Sequence, residues 1–90
     1  MMIERATWPH TISDIYKALD NIWGVVGAYD LHNNLMRLEK SISSPITYIL
    51  TSFEGNNEKK ITKTESYAES QKDQAVNDFA KAIGFTLEQP

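Results

Sequence analysis

The chain has 90 residues, of which 41% are hydrophobic and 23% charged, with no cysteine and a formal net charge of −3 at pH 7. This length allows one domain at most, and the composition is that of a globular protein. The absence of cysteine excludes disulfides, cysteine-ligated zinc and thiol catalysis, and it favours a reducing cytoplasm. Because acidic and basic residues nearly balance, neither nucleic acid nor a membrane surface is the expected partner.

A membrane segment is not expected either. The longest apolar stretch, residues 22–29, is interrupted by two glycines, whereas a membrane-spanning helix needs about 20 apolar residues. The first ten residues also lack the apolar core of a signal peptide.

Two apolar sets with helical spacing occupy the first half of the chain. The first set, capped by Thr11 with Asp14 three positions on, comprises Ile12, Ile15, Tyr16, Leu19, Ile22 and Trp23. The second comprises Ala28, Leu31, Leu35, Leu38 and Ile42. On a helical wheel the two sets differ by about 130°, and the change coincides with Gly24 and Gly27. We therefore predict two helices, over residues 11–24 and 28–43, the second ending before Pro45.

The next segment has the pattern of a β-hairpin. Residues 46–53 are rich in β-branched and aromatic side chains, residues 54–57 form a turn, and residues 59–67 alternate as an exposed strand would. We predict antiparallel strands over 46–53 and 59–67, with the turn centred on Asn56 and Asn57. In that register Phe53 opposes Lys60, Leu50 opposes Lys63, and Ile46 opposes Tyr67.

A third helix is predicted over residues 71–83. Ser70 is its expected N-cap, with Asp73 three positions on, and Gly84 its expected end. The apolar face comprises Ala75, Val76, Phe79, Ala80, Ala82 and Ile83. The predicted fold class is therefore α+β, a single domain over residues 1–90 with the order α-α-β-β-α.

No arrangement of residues indicates an enzyme, a metal site or a cofactor site. On a helix, Asp30 and His32 point about 200° apart and cannot share a metal ion. His10 is the other histidine, so none lies in the second half of the chain to activate a serine or threonine. The carboxylates are scattered, and the four glycines form no phosphate-binding loop.

The aromatic residues instead favour binding to another protein. The helices cover one face of a two-stranded hairpin, and the opposite face needs a partner, a second copy or a further helix. The expected contact residues are Trp8, Tyr29, Ile49 and Phe53. We hypothesise a small non-catalytic inhibitor or accessory regulator, of the kind that phage or bacterial anti-defence and immunity genes encode.

Two alternatives remain open. Two helices followed by a lysine-bearing hairpin resemble the element order of winged-helix proteins. This resemblance implies a DNA-binding transcriptional regulator that would use Arg37, Lys59, Lys60 and Lys63. The other alternative is a self-associating structural protein, a homodimer in the simplest case.

Overall fold

The elements follow the order α-β-β-β-β-α in a computed structural model that describes residues 9, 11–20, 24–41 and 43–83. They are α1 (Ile12–Asp20), β1 (Val25–Tyr29), β2 (Leu35–Lys40), β3 (Thr47–Glu54), β4 (Asn57–Ala68) and α2 (Lys72–Ile83). A short 3-10 turn, Glu69–Gln71, precedes α2. The four strands form one antiparallel sheet in which each strand pairs with the next along the chain. The prediction of a small α+β domain is confirmed.

Both helices pack against the same face of the sheet. Because side chains alternate between the two faces of a strand, every second strand residue points toward the helices. The resulting core contains Ile15 and Leu19 of α1, Ala75, Val76, Phe79 and Ile83 of α2, and Val26, Ala28, Met36, Leu38, Tyr48, Leu50 and Tyr67 of the sheet. We call this side of the sheet the helix face and the opposite side the open face.

The predicted start of α1 is confirmed by a reciprocal capping box. The Asp14 amide donates to Thr11 Oγ1, and the Thr11 amide donates to Asp14 Oδ2, each at 3.1 Å. These two bonds satisfy amides that the first turn of a helix leaves without partners. Ile22 and Trp23 of this predicted helix lie outside the described residues. Its predicted last residue, Gly24, is not helical, because it has a φ of +52° and directly precedes β1.

The apolar face predicted for the last helix is confirmed at four positions, and Ala80 and Ala82 are partly buried against the same core. Its predicted N-cap is wrong. Instead of Ser70 capping the helix, the chain passes through the 3-10 turn, where the Ala68 amide donates to Gln71 Oε1 at 3.0 Å. The predicted stop at Gly84 lies outside the described residues.

The predicted helix over residues 28–43 is wrong, because this segment contains most of the β1–β2 hairpin. Residues 30–34 form its turn, where Asp30 Oδ1 accepts the amides of His32 at 2.8 Å and Asn34 at 2.9 Å. Asn33 has a φ of 62°, a left-handed conformation that asparagine tolerates. Leu31, placed on the apolar face of the predicted helix, is 72% exposed at this turn. The predicted order α-α-β-β-α therefore becomes α-β-β-β-β-α.

The β3–β4 hairpin is present, but its register differs from the prediction. The turn is at Gly55 and Asn56, one residue earlier than predicted. Register shifts beside it break the regular pairing near Phe53. The observed cross-strand pairs are Phe53 with Ile61, Leu50 with Glu65, and Tyr48 with Tyr67.

The two hairpin turns meet at the same end of the sheet. The Gly55 amide donates to Asn34 Oδ1 at 2.9 Å, and the Leu35 amide donates to the Gly55 carbonyl at 2.7 Å. Gly55 has a φ of +59°, which a two-residue hairpin turn requires and glycine adopts without strain. These bonds join the β1–β2 turn to the β3–β4 turn.

Candidate interaction site

β4 is the longest strand and an outer strand of the sheet. Its 12 residues pair with β3 on one side, and among the described residues no strand pairs with its other side. Residues 59–64 are all exposed, as are Ser66 and Ala68. The other outer strand, β1, has only five residues, and its three central residues are buried. Of the two outer strands in the described part of the chain, β4 is therefore the more accessible for pairing.

The alternation of residues 59–67 predicted an exposed strand, but it did not predict that this strand is the sheet edge. With residues 28–43 predicted as a helix, the sheet had only two strands, and each of them was equally an edge. The spacing of Lys63, Glu65 and Tyr67 indicates that these three side chains lie side by side, because residues two apart on a strand share a face. On the helix face Lys63 Nζ lies 2.6 Å from Glu65 Oε1, and Tyr67 Oη lies 2.7 Å from Glu65 Oε2.

The Tyr67 hydroxyl connects β4 to α2. It donates to Asp78 Oδ2 at 2.6 Å while it also contacts Glu65, and Asp78 Oδ1 accepts a hydrogen bond from Gln74 at 2.9 Å. Burial, followed by the hydrogen bonds to Asp78 and Glu65, raises the pKa of Tyr67 well above its ordinary value. Lys63 and Tyr67 lower the pKa of Glu65. The carboxylates of Asp78 and Glu65 therefore stabilise the neutral form of the Tyr67 phenol, between β4 and α2.

A groove of about 530 Å³ lies beside this network. Its lining includes Met36 and Leu50 at the base and Lys63, Glu65 and Lys81 at the rim. Charges of both signs surround it, with Asp30 and Asp78 also in the lining. Within the described part of the chain, no group of three histidine or acidic side chains could hold a metal ion.

Three of the four predicted protein-contact residues lie on the open face. Tyr29 is on β1, and Ile49 and Phe53 are on β3, with Ile49 opposite Glu39 of β2. Tyr29 and Ile49 are half-buried, whereas Phe53 is 1% exposed. Because Phe53 is buried, its ring offers little surface to a partner, and the set of contact residues stays a prediction. Trp8 lies outside the described residues.

Arg37, predicted as a DNA contact, is also on the open face. Its guanidinium carbon lies 5.1 Å from the centre of the Phe53 ring. Its terminal nitrogens lie 3.4 Å from Glu58 Oε1 and 3.6 Å from Glu39 Oε1. Because the Arg37 side chain is only 19% exposed and has two carboxylates beside it, it offers little positive charge to a phosphate.

The predicted lysine contacts all lie on β4, and two of them are ion-paired. Lys60 Nζ is 3.6 Å from Glu54 Oε2, and Lys63 Nζ is 2.6 Å from Glu65 Oε1. Lys59 is exposed. The structure therefore brings these lysines onto one strand, β4. Arg37 is on β2, two strands away, but its guanidinium reaches Glu58 at the start of β4.

Comparison with known proteins adds no identification, because no family model, no curated protein and no solved structure matches the chain. Among the described residues, no helix has the length and apolarity to cross a membrane.

Proposed function

We propose that the protein is a small non-catalytic module that binds another protein, as an inhibitor or accessory regulator in a reducing cytoplasm. In this proposal an extended segment of the partner adds to the sheet as a fifth strand, next to β4. The observation that supports it is the exposed pairing edge of β4, a strand of 12 residues. Strand addition to an exposed sheet edge is a recurrent way in which proteins bind extended peptides.

The edge is suited to this role because its outward main-chain groups have no strand partner among the described residues. Antiparallel pairing uses the amide and carbonyl groups of alternate residues, so a partner segment of about six residues would find several donors and acceptors on β4. The strand is also supported from behind, since residues 63–68 pair regularly with β3 and Tyr67 contacts α2. The partner would thus meet a preformed surface, which lowers the entropic cost of binding.

The side chains along the edge indicate the character of the partner segment. Residues 59–64 comprise three lysines, two threonines and Ile61, which is 58% exposed. A polar partner strand that carries carboxylates would complement the lysines, and an apolar residue would cover Ile61. The open face is the weaker candidate, because Phe53 is buried and Arg37 is ion-paired.

Two proline substitutions at neighbouring positions test the proposal. Adjacent residues of an edge strand direct their amides to opposite sides, so one of Lys63→Pro and Thr64→Pro removes a hydrogen bond to β3. The other removes only an outward amide. We expect the variant that lacks only the outward amide to keep the melting temperature of the wild type. The same variant should lose the partner proteins that the tagged wild type captures from cell lysate.

Lys17→Glu, at an exposed position of α1, is the matched surface control. It should retain every captured protein. Hydrogen exchange then checks the mode of binding, because a captured partner should slow the exchange of β4 amides more than that of β1 amides. Capture that is unchanged in the stable proline variant, or protection confined to the open face, would reject strand addition.

A further inference from the structure

We infer that, in the absence of another partner, β4 pairs with β4 of a second copy of this chain. The inference rests on the proposed use of β4 as a pairing edge and names one specific occupant for it. A two-fold axis perpendicular to the sheet would join the two copies into a continuous antiparallel sheet of eight strands, four from each copy. Both pairs of helices would then lie on the same side of that sheet.

Charge favours a register of this pairing that is centred on Thr64 over the two registers next to it. The regular part of β4 begins at Lys63, beyond the register shifts near Phe53. A symmetric pairing centred on Lys63 would place two lysines opposite each other, and one centred on Glu65 would place two glutamates opposite each other. Like charges in directly opposed positions destabilise a sheet. A pairing centred on Thr64, in contrast, places Lys63 opposite Glu65 of the second copy twice.

The side chains of this pair are partly exposed, so a second copy can reach them. Lys63 is 69% and Glu65 38% exposed, and both point to the helix face. Within one chain they already form an ion pair at 2.6 Å. Directly opposed residues in an antiparallel pair have Cβ atoms about 5 Å apart. The two chains would therefore bring two lysines and two glutamates into one alternating cluster.

The hydroxyl-bearing residues fit the same arrangement. Centring on Thr64 places this residue opposite its own copy on the open face, and threonine pairs are favourable there. Thr62 then lies opposite Ser66. The pairing would also cover an edge that natural sheets usually protect. Thr64 is thus the centre of a self-complementary sequence, Lys63-Thr64-Glu65.

Charge reversal across the interface tests the inference. Wild type should sediment with a mass that approaches twice the monomer mass of 10.2 kDa as concentration rises. K63E alone and E65K alone should each be monomeric, because like charges now face each other. An equimolar mixture of the two should form a heterodimer, and the double variant K63E/E65K should form a homodimer again. Lys17→Glu should associate as wild type does.

Two controls keep the test valid if one substitution perturbs folding. Far-UV circular dichroism reports whether each variant is folded, and a misfolded variant would not form a dimer when the two variants are mixed. Wild type that stays monomeric up to about 1 mM, the weak end of specific association, would overturn the inference. So would a dimer that both single variants retain. Neither result would contradict the proposed function. That proposal fails instead if the stable β4 proline variant still captures its partners.

Discussion

Removal of the Tyr67 hydroxyl should change the dependence of stability on pH as well as stability itself. At pH 7, Tyr67→Phe loses the partly buried hydrogen bond to Asp78, and a hydrogen bond to a charged group contributes about 1.5–3 kcal/mol. A domain of this size has a free energy of unfolding of roughly 5–13 kcal/mol. The variant should therefore remain folded and measurably less stable.

The difference should shrink in alkaline solution. The pKa of Tyr67 is raised in the folded state, so its stabilising contribution is complete below the ordinary tyrosine pKa near 10. Above that pH the unfolded chain releases the phenolic proton while the folded chain keeps it. Wild type should then lose about 1.4 kcal/mol of stability per pH unit that Tyr67→Phe does not lose. The two proteins should become equally stable at about pH 11–12.

Urea unfolding at intervals from pH 7 to pH 11.5 measures this difference directly. Lysine pKa values such as that of Lys63, which Glu65 raises, affect both proteins and cancel in the comparison. Tyr16→Phe is a second case, since a hydrogen bond to Asp73 and then burial raise the pKa of Tyr16 to about 12. A difference between wild type and Tyr67→Phe that stays constant across this range would refute the reasoning.

Two further outcomes are expected. Gly24→Ala should lower the melting temperature more than Gly55→Ala does. Both glycines have a positive φ, so both substitutions strain the backbone. A Cβ at Gly24 would in addition lie 2.9 Å from Lys40 Cβ, whereas one at Gly55 meets nothing within 4 Å. Left-handed backbone strain alone costs about 1–2 kcal/mol, so equal losses would contradict the steric argument. In a gel-shift assay with duplex DNA at low salt, micromolar protein should produce no shift, because Arg37 and two of the three hairpin lysines are ion-paired. A shift that disappears at moderate salt would favour the DNA-binding alternative.

The sequence predicts correctly those elements whose formation depends on residues close together in the chain. Thr11 and Asp14 can cap a helix without help from distant residues, and they do so. The β-branched and aromatic residues of β3 form a strand, and the spacing of Ala75, Val76, Phe79 and Ile83 buries one side of α2. Each of these patterns fits only one kind of element.

The candidate site was predictable only in part. The exposed strand over residues 59–67 and the shared face of Ile49 and Phe53 followed from period-two alternation. The burial of Phe53 and the edge position of β4 did not, because both depend on how many strands the sheet contains. Whether a strand lies at the edge of a sheet depends on its neighbouring strands, and the sequence of residues 59–67 contains no information about those neighbours.

The sequence by itself determined the α+β class, the first helix start, the β3–β4 hairpin and the apolar side of α2. Only the tertiary structure decided that residues 25–40 form two strands. Leu31, Leu35 and Leu38 have a spacing that suits a helix face, but Asp30, Asn33 and Asn34 suit a turn. The turn prevails because β2 gains a strand partner on each side and places Leu38 in the core under the helices. Those long-range contacts make β4 the accessible edge.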